Sequence, residues 1–313
     1  MALFLLPAVS APNDSRWSAG TPAPEWVQVA ARLPSDNSID AAKWGDTRYM
    51  LVDDQIRTTA EGEESFHHRA TKVLASTGID TVSQITFEFD PSYTSLAIHE
   101  ISIWRGNRKI NALDPTDLKV LQRETDLHRR IYDGSLQVVA FLRDVRVGDV
   151  VERSWSVSGR NPAMGDHHAS RWNLGWTSAV AHRFLRVLSG GRDLHFKHFQ
   201  TDLRPTIEKR GRWTEYRWTQ DDVPAVKFED DTPSWAFVYP AVQISDFTSW
   251  AEVGRWEADH YGPLVMPRAL MPAELENKIT IWEMAETEER KAQQALRFVQ
   301  DDVRYMGIEI GPS

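Results

Sequence analysis

The 313-residue chain contains no cysteine. Disulfides, thiolate metal sites and a cysteine nucleophile are therefore excluded within these residues, while the compartment stays open. Long apolar runs are also missing: nothing approaches the roughly 18 residues of a membrane-spanning helix. No fixed-period repeat occurs, which argues against a solenoid or propeller. No phosphate-loop or dinucleotide fingerprint is present, so no cofactor is expected. Ser189-Gly190-Gly191 lacks the flanking pattern of a serine-hydrolase elbow. Basic charge is in deficit, with 36 Lys and Arg against 45 Asp and Glu and a net charge of −9. Nucleic acid is then a poor partner, because phosphate backbones are bound largely by Lys and Arg. The local run Lys209-Arg210-Gly211-Arg212 is flanked by acids and reads as a solvated turn.

What is there is a globular composition, 41% hydrophobic and 26% charged, with enough length for a sizeable core. Ala2–Val9 is a short apolar run followed by the small residues Ser10 and Ala11, with no Lys or Arg before it. It reads as the end of a secretory signal that starts upstream, which predicts a periplasmic or otherwise exported protein; a hydrophobic tail docked on the core is the alternative. Residues 12–44, rich in Pro, Ser, Asp and Ala, read as a leader anchored near Trp26-Val27.

From about residue 45 the texture is that of short strands. Tyr49–Val52 and Gln55–Thr59 are expected to flank a break at Asp53-Asp54. Ile85, Phe87 and Phe89 alternate with polar residues. Leu96–Ile98 and Ile101–Ile103 alternate with a phase slip at His99-Glu100, which a β-bulge would absorb. Gly106-Asn107 suits a hairpin turn. Further strands are expected at Leu136–Leu142, Asp149–Val157, Phe184–Leu188, Asp193–Phe199 and Trp213–Trp218. The pattern predicts an α+β chain whose main part, residues 45–248, is an antiparallel β-sandwich-like domain. Helices follow over residues 249–313. Ser249-Trp250-Ala251-Glu252 is a capping box; Trp250, Val253 and Tyr261 can share one face, and Pro263 ends the helix. A second helix covers Ala273–Ala285. Thr287 caps a third, with Glu288 and Glu289 favoured by the helix dipole in its first turn. Its stripe is Ala292, Ala295, Leu296, Val299 and Val303, and Gly307 is its expected stop.

The order of strand-rich region, capped Trp helix and Thr287–Gly311 segment resembles bacterial proteins that join an N-terminal β-rich domain of unknown function to a transglutaminase-like, papain-type core. Pro24-Glu25-Trp26-Val27, Phe87-Glu88-Phe89-Asp90-Pro91, Arg146–Glu152 and Phe247-Thr248-Ser249-Trp250 carry the resemblance, together with Thr287–Glu309. It implies an exported envelope protein whose core would hold Cys, His and Asp for acyl transfer or amide hydrolysis. In that family the triad follows the position where this sequence ends at Ser313, so no catalytic residue transfers to this chain. The expectation is a non-catalytic accessory part that positions or gates the core, or binds a protein, peptide or peptidoglycan partner. An autonomous protein- or glycan-binding module is the alternative, and a cysteine-free hydrolase with its own site is a third reading. Lacking its core, the Leu296 stripe would stay exposed, fold back on the sandwich or self-associate.

His67-His68 and His167-His168 are adjacent pairs that a strand would point to opposite faces, and His195 and His198 would diverge likewise, so no metal site is expected. The acidic clusters Asp221-Asp222 and Glu229-Asp230-Asp231 match no calcium loop and read as solvated. The candidate binding residues are Trp172 and Trp176, which could form an aromatic platform for a sugar or peptide. The plainer reading places them in the core with Trp155, Trp213 and Trp218.

Overall fold

The computed structural model describes residues 16–28, 44–60, 62–122, 131–132, 134–229, 231–233, 235–262, 267, 270–303 and 307–308. The expectations for Ala2–Ala11, Asp230, Pro263 and Tyr305-Met306 lie outside the described residues. The chain divides into two units, residues 1–123 with 135–246, and residues 124–134 with 247–313.

The first unit holds β1 (Trp17–Ala19), β2 (Thr47–Thr58), β3 (Glu63–Val73), α1 (Thr77–Ser83), β4 (Gln84–Phe89), β5 (Thr94–Arg105), β6 (Arg108–Asn111) and β7 (Lys119–Gln122). The short β8 (Ile131–Tyr132) belongs to the second unit. The first unit continues with β9 (Leu136–Phe141), β10 (Val150–Gly159), β11 (Ala169–Asn173), β12 (Val180–Ser189), β13 (His195–Phe199), β14 (Thr206–Arg210), β15 (Trp213–Val223) and β16 (Ala241–Ser245). A nine-stranded sheet runs in the order β1-β5-β10-β3-β2-β12-β15-β14, with β6 also paired to β5. Its pairs are antiparallel except β1 with β5 and β2 with β12. Two three-stranded sheets, β4-β9-β7 and β11-β16-β13, complete the unit. The structure is thus α+β and mostly antiparallel, as the strand texture predicts.

Registry explains where the core sits. Residues directly opposite one another share a face of a sheet. Ile98, Trp155, His67, Asp54, Leu185 and Trp218 therefore form one cross-strand row. At one end of that face Ile98, Ile101 and Ile103 pack with Ile85, Phe87 and Val138 of the β4-β9-β7 sheet. At the other end Ile56, Leu185 and Trp218 pack with Val242 and Ile244 of the β11-β16-β13 sheet. One face of the large sheet is covered by two small ones side by side.

The bulge falls where the phase slip predicts: Ser154 pairs with Glu100 and Trp155 with Ile98, leaving His99 as the extra residue. Gly106 takes φ +59° in the turn between β5 and β6, a conformation that costs glycine little. The expected break at Asp53-Asp54 is absent. Both residues lie in the middle of a continuous 12-residue strand and are fully buried, because each carboxyl finds partners described below. Trp218 is fully buried and Trp155 packs against the core, whereas Trp213 is half-buried beneath Arg212.

The second unit contains α2 (Trp250–Tyr261), α3 (Ala273–Glu283), α4 (Glu288–Asp301) and β17 (Gly307–Ile308), which pairs with β8 in parallel. Ser249 caps α2 by accepting from the Glu252 N–H at 3.3 Å. The returning Glu252 carboxylate accepts from Thr248 N–H and hydroxyl instead, so the capping box closes one residue earlier than its usual form. Trp250, at the first helical position, is 89% exposed. Thr287 caps α4 by accepting from the Arg290 N–H. That helix stops at Asp301, not Gly307, and Gly307 enters a strand instead. Trp282 and Phe298 join α3 to α4 with ring centroids 5.5 Å apart. Leu296 and Val299 are each 55% exposed.

Candidate functional site

The covered face of the large sheet carries a polar seam between its two apolar ends. His67 is held flat between two indoles, Trp155 at 4.9 Å and Trp172 at 5.9 Å between centroids. Its Nδ1 lies 2.7 Å from Asp54 Oδ1. One same-face step along the strands, Arg153, Arg69, Val52 and Arg183 form a second cross-strand row. Arg69 reaches back to Asp54 Oδ1 at 2.5 Å, and Arg183 to Oδ2 at 2.9 Å. Burial by itself would raise the Asp54 carboxyl, but Arg69, Arg183 and His67 outweigh it and hold it below the usual carboxylate range. Burial, reinforced by repulsion from Arg69, brings Arg153 down to about 10, so it remains cationic at neutral pH. Arg153 makes no ion pair with a carboxylate among the described residues. The Arg183 Nη2 atom is buried without a hydrogen-bond partner among them, and its guanidinium lies 5.4 Å from the Trp176 ring. Two guanidiniums thus hold one carboxylate, with that of Arg153 beside Arg69 in the same cross-strand row, in a chain whose overall charge is negative.

Above this seam opens a cleft of about 520 Å³ lined by Asp54, Arg69, Arg171, Trp172, Asn173, Trp176 and Tyr239. Both sequence-predicted tryptophans are in its wall. Each is half-buried and also packs on a core cluster, Trp172 on that of Leu185, Trp218 and Val242 and Trp176 on that of Val52 and Val180. The Trp172 indole N–H donates to Ser170 Oγ at 2.9 Å. Arg171 is exposed at the rim, with its guanidinium 4.3 Å from the Phe237 ring and 5.4 Å from that of Phe199.

The opposite face of β2 behaves differently. Asp53 is pushed up to about 7, chiefly by burial and then by Asp54, although His68 and two bonds from Gln55 Nε2 (3.2 and 3.1 Å) oppose the rise. His68 pairs instead with Glu152 at 2.8 Å. Burial pushes Glu152 up, but hydrogen bonds from His68 and Trp104 and the charge of Lys109 bring it to about 2. A strap at residues 24–28 covers part of this face. Gln55 bonds both the N–H and the carbonyl of Gln28, and Arg186 donates to the Trp26 carbonyl.

Ser65 Oγ stands 3.1 Å from His67 Nε2, so Ser65, His67 and Asp54 have the spacing of a nucleophile relay. The surroundings do not suit one. Asp54 is neutralised by two arginines, and β3 is paired on both sides at Ser65. Its main-chain N–H groups are spent on the sheet, which leaves none to stabilise an oxyanion. His67 and Ser65 are two apart on one strand and meet through the period of the pleat. His167 pairs with Asp246 at 3.0 Å and His168 with Glu63 at 2.6 Å. His198 accepts from Trp218, whereas His195 is exposed. Among the described residues no group of three or more such side chains is placed to hold a metal ion.

The sequence singles out the two tryptophans of the cleft wall but not Asp54, Arg69, Arg153 and Arg183. Alternation through Val52–Gln55 and His67–Arg69 was the available signal, and consecutive aspartates obscured it.

Residues 60–227 match a family described as a domain of unknown function with solved structure, DUF3857. The chain belongs to the DUF3857 family. The matched DUF3857 span includes Arg69, Arg153, Arg171, Trp172, Trp176 and Arg183; Asp54 and Tyr239 lie outside it. The crystal structure of a candidate protease from Parabacteroides distasonis is similar over 83% of this chain, with a TM-score of 0.66 and 13% identity. That likeness is one of fold, and the DUF3857 chain spans 51% of the other protein. A candidate nutrient-binding protein from Legionella pneumophila aligns at 7% identity and a TM-score of 0.30, over 85% of this chain and 88% of that one. Yeast LTA4 hydrolase bound to bestatin aligns at 12% and 0.31, over 69% and 31%. Both scores are too low to bear on the fold. No protein of curated function matches the sequence.

Proposed function

We propose that residues 45–248 act as a non-catalytic accessory domain of a transglutaminase-like envelope protein, and that residues 249–313 contribute the opening helices of its papain-type core. The domain would position or gate that core, or bind its partner. The observation that carries this reading is the commitment of the buried polar groups to scaffold. Asp54 is locked by Arg69, Arg183 and His67, and the Ser65 relay lacks oxyanion donors, while the aromatic cleft above remains open. The cysteine-free composition agrees, since a thiolate nucleophile is not among these residues. The capped helices after Thr248 and Thr287, and the fold shared with a candidate protease of about twice the span, support the link to such a core. Export to the periplasm belongs to the same reading. Fractionation of the protein expressed with its natural upstream region tests it; a cytoplasmic product with an intact N-terminus refutes export.

The chemical test is amine incorporation and peptide hydrolysis by the purified chain over a broad pH range. No turnover is expected. Turnover that survives repurification and vanishes in Ser65→Ala would overturn the non-catalytic reading.

A further inference from the structure

The edge of the β11-β16-β13 sheet supplies an observation of its own. Among the described residues β11 is an outer strand, paired only with β16. The Leu174 N–H bonds the Pro240 carbonyl, and the Asp246 N–H bonds the His168 carbonyl. Antiparallel pairs alternate between bonded and non-bonded, so Ser170 and Trp172 face β16. Ala169, Arg171 and Asn173 then turn their main-chain groups outward. The Asn173 carbonyl is taken by Arg183 Nε at 3.1 Å. The outward groups of Ala169 and Arg171 have no partner among the described residues. An open edge with donors and acceptors repeating every second residue is a template for another strand.

This edge borders the cleft: Arg171, Trp172 and Asn173 line it, with Arg69 in the floor and Trp176 and Tyr239 alongside. Arg171 is braced by Phe199 and Phe237 and makes no ion pair with a carboxylate among the described residues. Beneath lies the seam in which Arg69, Arg153 and Arg183 outnumber Asp54. We propose that β11 and this cleft bind an extended peptide segment, pairing with its main chain at Ala169 and Arg171 and taking an acidic side chain against the Arg171 guanidinium. The inference rests on the reading of this unit as a binding rather than a catalytic domain, and it names the class of partner. Peptide is favoured over glycan because a sugar has no main chain to match the two-residue repeat of the edge. The aromatic walls suit the apolar residues flanking the acid, and the cation selects a carboxylate over an amide.

The test is calorimetric titration of the whole chain with acetyl-Thr-Val-Glu-Val-Thr-amide and with its Glu-to-Gln counterpart. The acidic peptide is expected to saturate the protein in the micromolar to millimolar range. The neutral one should bind about tenfold more weakly, the loss typical of a charge-assisted bond. Arg171→Gln should bring the two affinities together. Ala169→Pro, which removes an outward N–H that an edge strand can spare, should weaken both peptides alike. Circular dichroism and an unchanged urea midpoint establish that each variant is folded, and either variant alone decides its half of the proposal. Equal affinity for the two peptides, no saturation by either, or indifference to both substitutions overturns it. So does binding of tri-galacturonate in place of the peptide, which would make the site one for acidic sugars. Failure here leaves the non-catalytic reading intact, whereas turnover in the hydrolysis assay would sink that reading without altering a peptide titration.

Discussion

Asp53 and Asp54 are neighbours on one strand with opposite surroundings, and replacing each by Asn should change stability in different ways across the pH range. Asp53 has a folded pKa of about 7 against an ordinary value of 3.8. Between those values the folded state holds a proton that the unfolded state has released. Stability therefore falls as pH rises, by about 1.4 kcal/mol per unit and about 4 kcal/mol across the whole window. Asp53→Asn removes this titration. Its stability relative to the parent should climb by about 3 kcal/mol between pH 5 and pH 8 and level off above that. Part of the absolute gain is lost because one of the two Gln55 Nε2 bonds would then face an amide N–H₂. Asp54 is held below the usual carboxylate range, so its contribution is fully present above pH 4 and is lost only in strong acid. Asp54→Asn leaves Arg69 and Arg183 short of a counter-charge. It should cost about 3–5 kcal/mol at pH 5, the usual penalty for breaking a buried ion pair, and somewhat less at pH 8, because loss of the Asp54 charge also lets Asp53 ionise more easily. Urea denaturation at half-unit steps, followed by tryptophan fluorescence, reads both curves. Parallel profiles for the parent and Asp53→Asn would refute the buried, proton-holding Asp53. A loss below about 1 kcal/mol for Asp54→Asn, the level of an exposed pair, would refute the buried ionic seam.

Trp218→Ala should destabilise the chain by about 3–5 kcal/mol in the same assay, because the indole is fully buried between Phe196 and His198 beneath the small sheet. Gly159→Ala places a Cβ 2.1 Å from the Tyr93 carbonyl at φ +127°, whereas Gly191→Ala at φ +114° meets open space. The first should cost at least about 2 kcal/mol more than the second, since it adds a backbone clash to comparable strain; equal urea midpoints would contradict the packing of β10 beside Tyr93. Leu296→Asn, on the exposed stripe of α4, should change stability by less than about 0.5 kcal/mol. A larger loss that grows with protein concentration would mean that a second copy covers the stripe.

Local chemistry was enough to make the strands and helix starts legible in the sequence. Period-two alternation marked β4 and β5. The slip at His99 is a one-residue phase error, and only a bulge resolves it without turning a face outward. Ser249 and Thr287 announce helices because a side-chain oxygen reaches an N–H three residues on, whatever surrounds it. The residues of the polar seam obey no local rule. Asp53-Asp54 reads as a break, since a charged pair in a central strand is unfavourable unless partners arrive from elsewhere. Those partners, Arg69 and Arg183, are 15 and 129 positions away from Asp54 and meet it only through strand pairing. The same holds for the cleft. Trp172 and Trp176 could be singled out as aromatic, but whether they sit in a core or a wall depends on two small sheets lying side by side over one large one. Sequence composition thus determined that no thiol chemistry resides in these residues and that the main part is a β-rich domain. Tertiary pairing alone decided which charges are buried together, because the energy of a buried charge depends on neighbours that the linear order does not specify.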